Sequence, residues 1–97
     1  MNNITALTLT LTELSRATCL GSDTLIEIVE EGILEPTGYT PATWKFDSQT
    51  VSIAQKAARL RNDLDIDWPG IALALSLINE LSELRRENQY LRQRLKR

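Results

Sequence analysis

The chain has 97 residues, a net charge of −2, 42% hydrophobic and 25% charged residues, which suits one compact domain and lies far from the apolar-poor composition of disordered chains. With no histidine and one cysteine, it lacks the commonest general base and transition-metal ligand, and it cannot form an internal disulfide or a cysteine-based zinc site. No basic segment ahead of an apolar run opens the chain, and the longest apolar stretch, Ile71 to Leu75, falls far short of the roughly 20 residues that cross a bilayer, so a reducing cytoplasm is the expected setting.

Leu7, Leu9 and Leu11 alternate with Thr8, Thr10 and Thr12, so Ala6 to Thr12 reads as a half-buried strand. Thr12 then N-caps a short helix to about Thr18, with Leu14 and Ala17 facing inward. Cys19-Leu20-Gly21 breaks the pattern. Ser22 or Asp23 caps a second helix whose core stripe is Leu25, Ile28 or Val29, and the following Ile33, with Gly32 as its stop. Two short helices joined by a tight turn make a helix-turn-helix unit, which says nothing of its partner by itself.

Glu35 to Pro41 is dense in turn formers, and Thr43-Trp44-Lys45-Phe46 has the β-branched and aromatic content of a strand, so this segment reads as a hairpin or wing. Asp47 or Ser48 caps a helix from about Gln49 to Leu64, carrying Val51, Ala54, Ala57, Ala58 and Leu60. Asp63-Leu64-Asp65-Ile66-Asp67 is a short acidic connection. In Asp67-Trp68-Pro69, an N-cap and a first-turn proline open a long last helix.

On that helix Leu77, Leu81, Leu84, Asn88, Leu91 and Leu95 follow steps of 4, 3, 4, 3 and 4, a heptad seam for dimerisation with Asn88 at one core position. With Leu81 at a, Glu80 and Glu87 fall at g and Arg85 and Arg92 at e, positions that pair across a parallel dimer. So short a seam also accommodates an antiparallel pair, or a helix folded back on its own domain. The expected architecture is mainly α: a winged helix-turn-helix-like domain over residues 1–66, followed by a long C-terminal helix over 67–97 for dimerisation.

Glu13-Leu14, Thr24-Leu25 and Gly32-Ile33-Leu34 match the helix-turn-helix and wing pattern of mercury-resistance-type regulators, and the first half resembles their DNA-binding domain. The closer resemblance covers nearly the whole chain and is carried by Val29 to Pro36, Thr43-Trp44-Lys45-Phe46-Asp47, Ala58-Arg59-Leu60-Arg61, Asp67-Trp68-Pro69-Gly70-Ile71-Ala72, Glu87-Asn88 and Leu91-Arg92-Gln93-Arg94-Leu95. These stretches resemble the chaperone modulatory protein family (CbpM type), Asp67 to Ala72 being the most specific. The resemblance implies a protein that binds the J-domain of a DnaJ-like, curved-DNA-binding co-chaperone, blocks its stimulation of the DnaK ATPase and opposes its DNA binding.

Mercury-resistance-type regulators place Arg-Tyr-Tyr after the Thr-Leu pair to contact phosphates; this chain has Ile26-Glu27-Ile28. Met1 to Thr50 carries two basic and seven acidic residues (−5), and Lys45 is the only basic residue between Arg16 and Lys56. DNA binding is driven by lysine and arginine displacing counterions, so a second helix bearing Asp23, Glu27, Glu30 and Glu31 is repelled by DNA. An exposed Ile26 among those acids makes a mixed surface suited to a basic amphipathic helix, and the resemblance identifies the second helix of a J-domain as such an element. The bland alternative is that these acids only solvate a helix.

Asp63 and Asp65 form a second candidate acidic patch for the same partner; the competing reading is a loop that ends with Asp67 capping the last helix. The alternating aspartates lack the glycine and terminal glutamate of a calcium loop, so no metal is expected. Trp44 and Trp68 are expected in the core, and Cys19 as a small packed side chain. Arg85 to Arg97 carries six basic and one acidic residue (+5): Arg85, Arg86, Arg92, Arg94, Lys96 and Arg97 are read as the flank of the dimer seam, and they anchor the rival reading, a DNA-binding transcription regulator. No residue set supports catalysis and no cofactor is expected.

Overall fold

In the computed structural model, which describes residues 7–96, the first helix, α1 (Leu11–Thr18), is opened by Thr10 and not by Thr12. The Thr10 hydroxyl accepts the Glu13 N–H at 3.2 Å and the Glu13 carboxylate accepts the Thr10 N–H at 2.9 Å. This reciprocal capping box satisfies two donors that the helix leaves free. It also cuts the leucine–threonine alternation short: β1 (Thr8–Leu9) is two residues, and Leu11 belongs to α1. Ala6 of the expected strand lies outside the described residues.

Thr10→Ala removes the side-chain half of the cap and should cost about 1 kcal/mol, read as a lower urea midpoint at constant slope. The Thr10 N–H, followed by the hydroxyl bond and the positive charges of Lys45 and Arg16, holds the Glu13 carboxyl below its ordinary 4.5. Stability linked to this group is therefore present above that value and lost as the pH falls through the depressed one. Glu13→Gln, which keeps an acceptor but does not titrate, should flatten that part of the acid limb.

Leu14 is fully buried as expected, but Ala17 is exposed and Thr18 takes the inward place. Burial of Thr18 is affordable because its hydroxyl donates to the Leu14 carbonyl at 2.8 Å. Cys19 ends α1 in the left-handed region (φ 62°), its N–H on the Ser15 carbonyl, and its side chain is exposed where packing was expected. The Ser15 hydroxyl closes the turn on the Leu20 carbonyl. Gly21 then stands at the N-cap of α2 (Ser22–Glu30) without a side-chain bond, so neither Ser22 nor Asp23 caps it. Leu25 and Ile28 are fully buried, Val29 and Ile33 partly so. Gly32 (φ 80°) stops the helix as expected: its N–H reaches the Val29 carbonyl at 2.9 Å and the Ile33 N–H reaches that of Ile28 at 3.2 Å, a Schellman closure.

The wing closes where Thr37 and Lys45 exchange backbone hydrogen bonds, both of 3.0 Å. At its tip Gly38 has φ 101°, and a Cβ there would stand 2.7 Å from the Thr43 carbonyl oxygen, so the turn admits glycine alone. The regular strand lies later than expected, as β2 (Phe46–Asp47), antiparallel to β1 with Leu9 opposite Phe46 and Thr8 opposite Asp47. This pairing ties the start of the chain to the base of the wing. One Asp47 carboxylate oxygen accepts the Gln49 N–H at 3.0 Å and the Thr50 hydroxyl at 3.3 Å, which holds the entry to α3 (Thr50–Leu64), although Gln49 occupies the N-cap position itself.

Ala54 and Ala57 are fully buried on α3, the helix against which both α1 and α4 pack. Asp65, left-handed at φ 55°, ends α3. Asp67 then caps α4 (Trp68–Leu95) by accepting the Trp68 N–H at 2.9 Å, with Pro69 in the first turn as expected. At this corner the Arg61 guanidinium sits 4.8 Å from the Trp68 ring centroid and 3.4 Å from Asp67. Both tryptophans belong to the core, Trp44 meeting Phe46 edge-to-face at 6.1 Å and Trp68 and Ile71 anchoring the root of α4. From Ser76 to Leu95 every residue of α4 is exposed. The radius of gyration, 16.6 Å against about 13 Å for a compact chain of this size, reflects that protruding helix.

Candidate partner-binding faces

The outward stripe of α2 is acidic. Asp23, Glu27 and Glu30 are spaced by four and three residues, which puts them on one face, all three are exposed, and exposed Glu31 continues them at the helix end. No lysine or arginine lies on α2 to offset them. Like charges at this spacing cost a helix a few tenths of a kcal/mol per pair, so the stripe is a local liability unless something cationic meets it. Ile26 corrects the sequence expectation: it is partly buried and packs against the core, so it lends the face only an edge of apolar surface.

Asp63 and Asp65 are exposed on the last turn and C-cap of α3. Asp65 lines a shallow depression with Arg61, Asn62, Ile66 and Asp67. Glu31 instead rims a different groove, of about 420 Å³, whose walls include Ile33, Ile53, Lys56, Ala72 and Leu75. Sequence reading missed this groove. Ile53 stands 44% exposed beside fully buried Ala54, and its place off the alanine stripe was the available signal. Among the described residues no group of three or more cysteine, aspartate or glutamate side chains is placed to hold a metal ion. No described helix is long and apolar enough to cross a membrane.

The second face is the seam of α4. Leu77, Leu81, Leu84 and Leu91 are 47–60% exposed and Leu95 is 84% exposed, with Asn88 exposed between them. The expected alternative of a helix folded back on its own domain is not adopted; the seam lies open. Arg85, Arg86, Arg92, Arg94 and Lys96 flank it and are exposed as well, while Arg97 lies outside the described residues.

A helix-turn-helix, a short wing and a long protruding helix define a fold of the mercury-resistance-regulator type, here with an acidic second helix. Residues 9–93 match the family described as MerR HTH family regulatory protein. The proteins named Chaperone modulatory protein CbpM from Pseudomonas putida (strain GB-1) and from Escherichia coli (strain UTI89 / UPEC) are similar to it: the first is 51% identical over 78% of this chain and 75% of its own length, the second 44% identical over 100% of this chain and 95% of its own. The chain belongs to the chaperone modulatory protein family, built on the MerR-type helix-turn-helix.

Proposed function

We propose that this protein inhibits a DnaJ-like, curved-DNA-binding co-chaperone by docking on its J-domain, so that the co-chaperone neither stimulates DnaK nor binds DNA. The observation that carries this reading is the charge of α2: the helix that would enter a DNA groove exposes Asp23, Glu27, Glu30 and Glu31 and bears no cation. Such a face repels phosphate and attracts a basic helix. The partly buried Ile26 and the groove rimmed by Glu31 supply apolar contact beside the charges, as a basic amphipathic helix needs. Asp63 and Asp65 form a second acidic patch for the same partner.

The role is non-enzymatic and cytoplasmic, with masking of the partner's surface as the mechanism. A transcription regulator is the second reading, favoured by the family description and by the cations of α4, and opposed by the acidity of α2. In this account the 67–97 segment pairs two copies through Leu77, Leu81, Leu84, Asn88, Leu91 and Leu95. Isothermal titration against the isolated J-domain should show saturable binding that weakens as salt rises, because the attraction is screened. Absence of heat with the J-domain, together with a DNA mobility shift that survives physiological salt, would favour the regulator reading.

A further inference from the structure

We infer that Tyr39, at the tip of the wing, is an anchor that seats in an apolar pocket of the partner docked on α2. The inference rests on the J-domain docking proposed above and adds a residue to that contact. Of the five aromatic side chains, Trp44, Phe46 and Trp68 belong to the core, and Tyr90 has the Arg94 guanidinium 5.6 Å from its ring centroid. Tyr39 is 101% exposed, so its ring touches nothing else in the chain. A lone exposed apolar side chain needs no explanation by itself. The turn built beneath this one does.

The backbone is fixed on both sides of Tyr39. Before it, Gly38 lies so close to Thr43 that a Cβ would stand 3.1 Å from the Thr43 hydroxyl as well as against its carbonyl. After it, the Thr40 N–H donates to the Thr43 hydroxyl at 3.2 Å, that hydroxyl donates to the Thr40 carbonyl at 3.1 Å, and the Thr43 N–H reaches the same carbonyl at 2.9 Å. Pro41 takes the second place of this four-residue turn, which its fixed φ suits. Every residue from Thr37 to Thr43 is exposed, so the turn covers no core. Its hydrogen bonds order the loop before any partner arrives, and a pre-ordered aromatic side chain loses little freedom on binding.

The chemistry of the loop selects a protein over a nucleic acid. No lysine or arginine occurs from Glu35 to Trp44, and a wing laid on DNA needs them for the phosphates. Thr37, Thr40 and Thr43 around a tyrosine make the neutral, hydroxyl-rich and aromatic surface of loops that bind proteins. Its place ties the tip to α2. Gly32, Ile33 and Ile53 line both the groove rimmed by Glu31 and a second depression that reaches Glu35 at the start of the wing, so the two are continuous. Four residues of chain reach at most about 14 Å, which keeps Tyr39 near the surface that begins at the acidic end of α2. A partner whose cations meet Glu27 and Glu30 can bury this ring too, and the ring supplies the anchor that partly buried Ile26 does not.

The test is calorimetric titration of the full chain against the J-domain. Tyr39→Ala should weaken binding about thirtyfold at an unchanged thermal midpoint, and Tyr39→Phe, which keeps the ring, should recover most of the loss. Thr43→Val removes the hydroxyl that locks the turn and should weaken binding severalfold in the parent but not in the Tyr39→Ala background, because the turn acts through the ring. Binding by Tyr39→Ala equal to the parent's overturns the anchor and leaves the docking on α2 standing. A parent that does not bind the J-domain overturns both. If Tyr39→Ala keeps its J-domain affinity and instead loses affinity for duplex DNA, the wing belongs to a nucleic acid and the anchor is likewise overturned.

Discussion

Glu27→Lys and Glu30→Lys should each weaken J-domain binding about tenfold in calorimetric titration, and together about a hundredfold, since charge complementarity of this kind sets affinity through close pairs. Both side chains are exposed on the outward stripe of α2, so neither reversal disturbs the core. Thermal midpoints should hold or rise, because each lysine relieves a like-charge pair on its own helix. Affinity lost with stability kept assigns the effect to the contact and not to folding. If both reversals bind like the parent, the α2 face is not the contact, and Asp63→Lys with Asp65→Lys becomes the next comparison.

Phe46→Ala should be the most damaging single change to the fold. Phe46 is 1% exposed, meets Trp44 edge-on, and sits in β2 opposite Leu9, so it joins the start of the chain, the wing and the core. Truncating a buried phenylalanine costs about 3–5 kcal/mol, a large part of the roughly 5–15 kcal/mol that holds an average domain. A urea titration should therefore show the midpoint falling by more than about 1 M, at a slope of about 1–3 kcal/mol/M. A loss under about 1 kcal/mol would mean that the wing base is not part of the cooperative core.

The elements with strong local signals were legible in the sequence. The Asp67-Trp68-Pro69 start of α4, the Gly32 stop of α2 and the alanine stripe of α3 each rest on chemistry contained in a few neighbouring residues. The start of the chain was misread because leucine–threonine alternation fits a strand, while Thr10 and Glu13 carry a capping box whose two hydrogen bonds outweigh that pattern. Thr18 displaced Ala17 from the interior because helical phase and a hydroxyl bonded to the preceding turn permit a buried threonine. Local pattern does not report either feature unless backbone hydrogen bonds are counted.

The faces were partly legible. Charge along α2 can be read directly, because an exposed acid needs no tertiary context; the depth of Ile26 cannot, because it depends on how the two helices cross. The groove at Ile53 required α2, α3 and α4 in place together. The heptad spacing of α4 was legible from its period alone; that its leucines are exposed depends on α4 leaving the core after Leu75, which the period does not report.

The most direct measurement is ATP turnover by DnaK, stimulated by the DnaJ-like co-chaperone, with this protein added in increasing amount. The stimulated rate should fall to the unstimulated one at saturation, with the unstimulated rate itself unchanged and with Glu27→Lys/Glu30→Lys protein far less effective. A stimulated rate that stays constant at concentrations saturating for J-domain binding would contradict inhibition by docking.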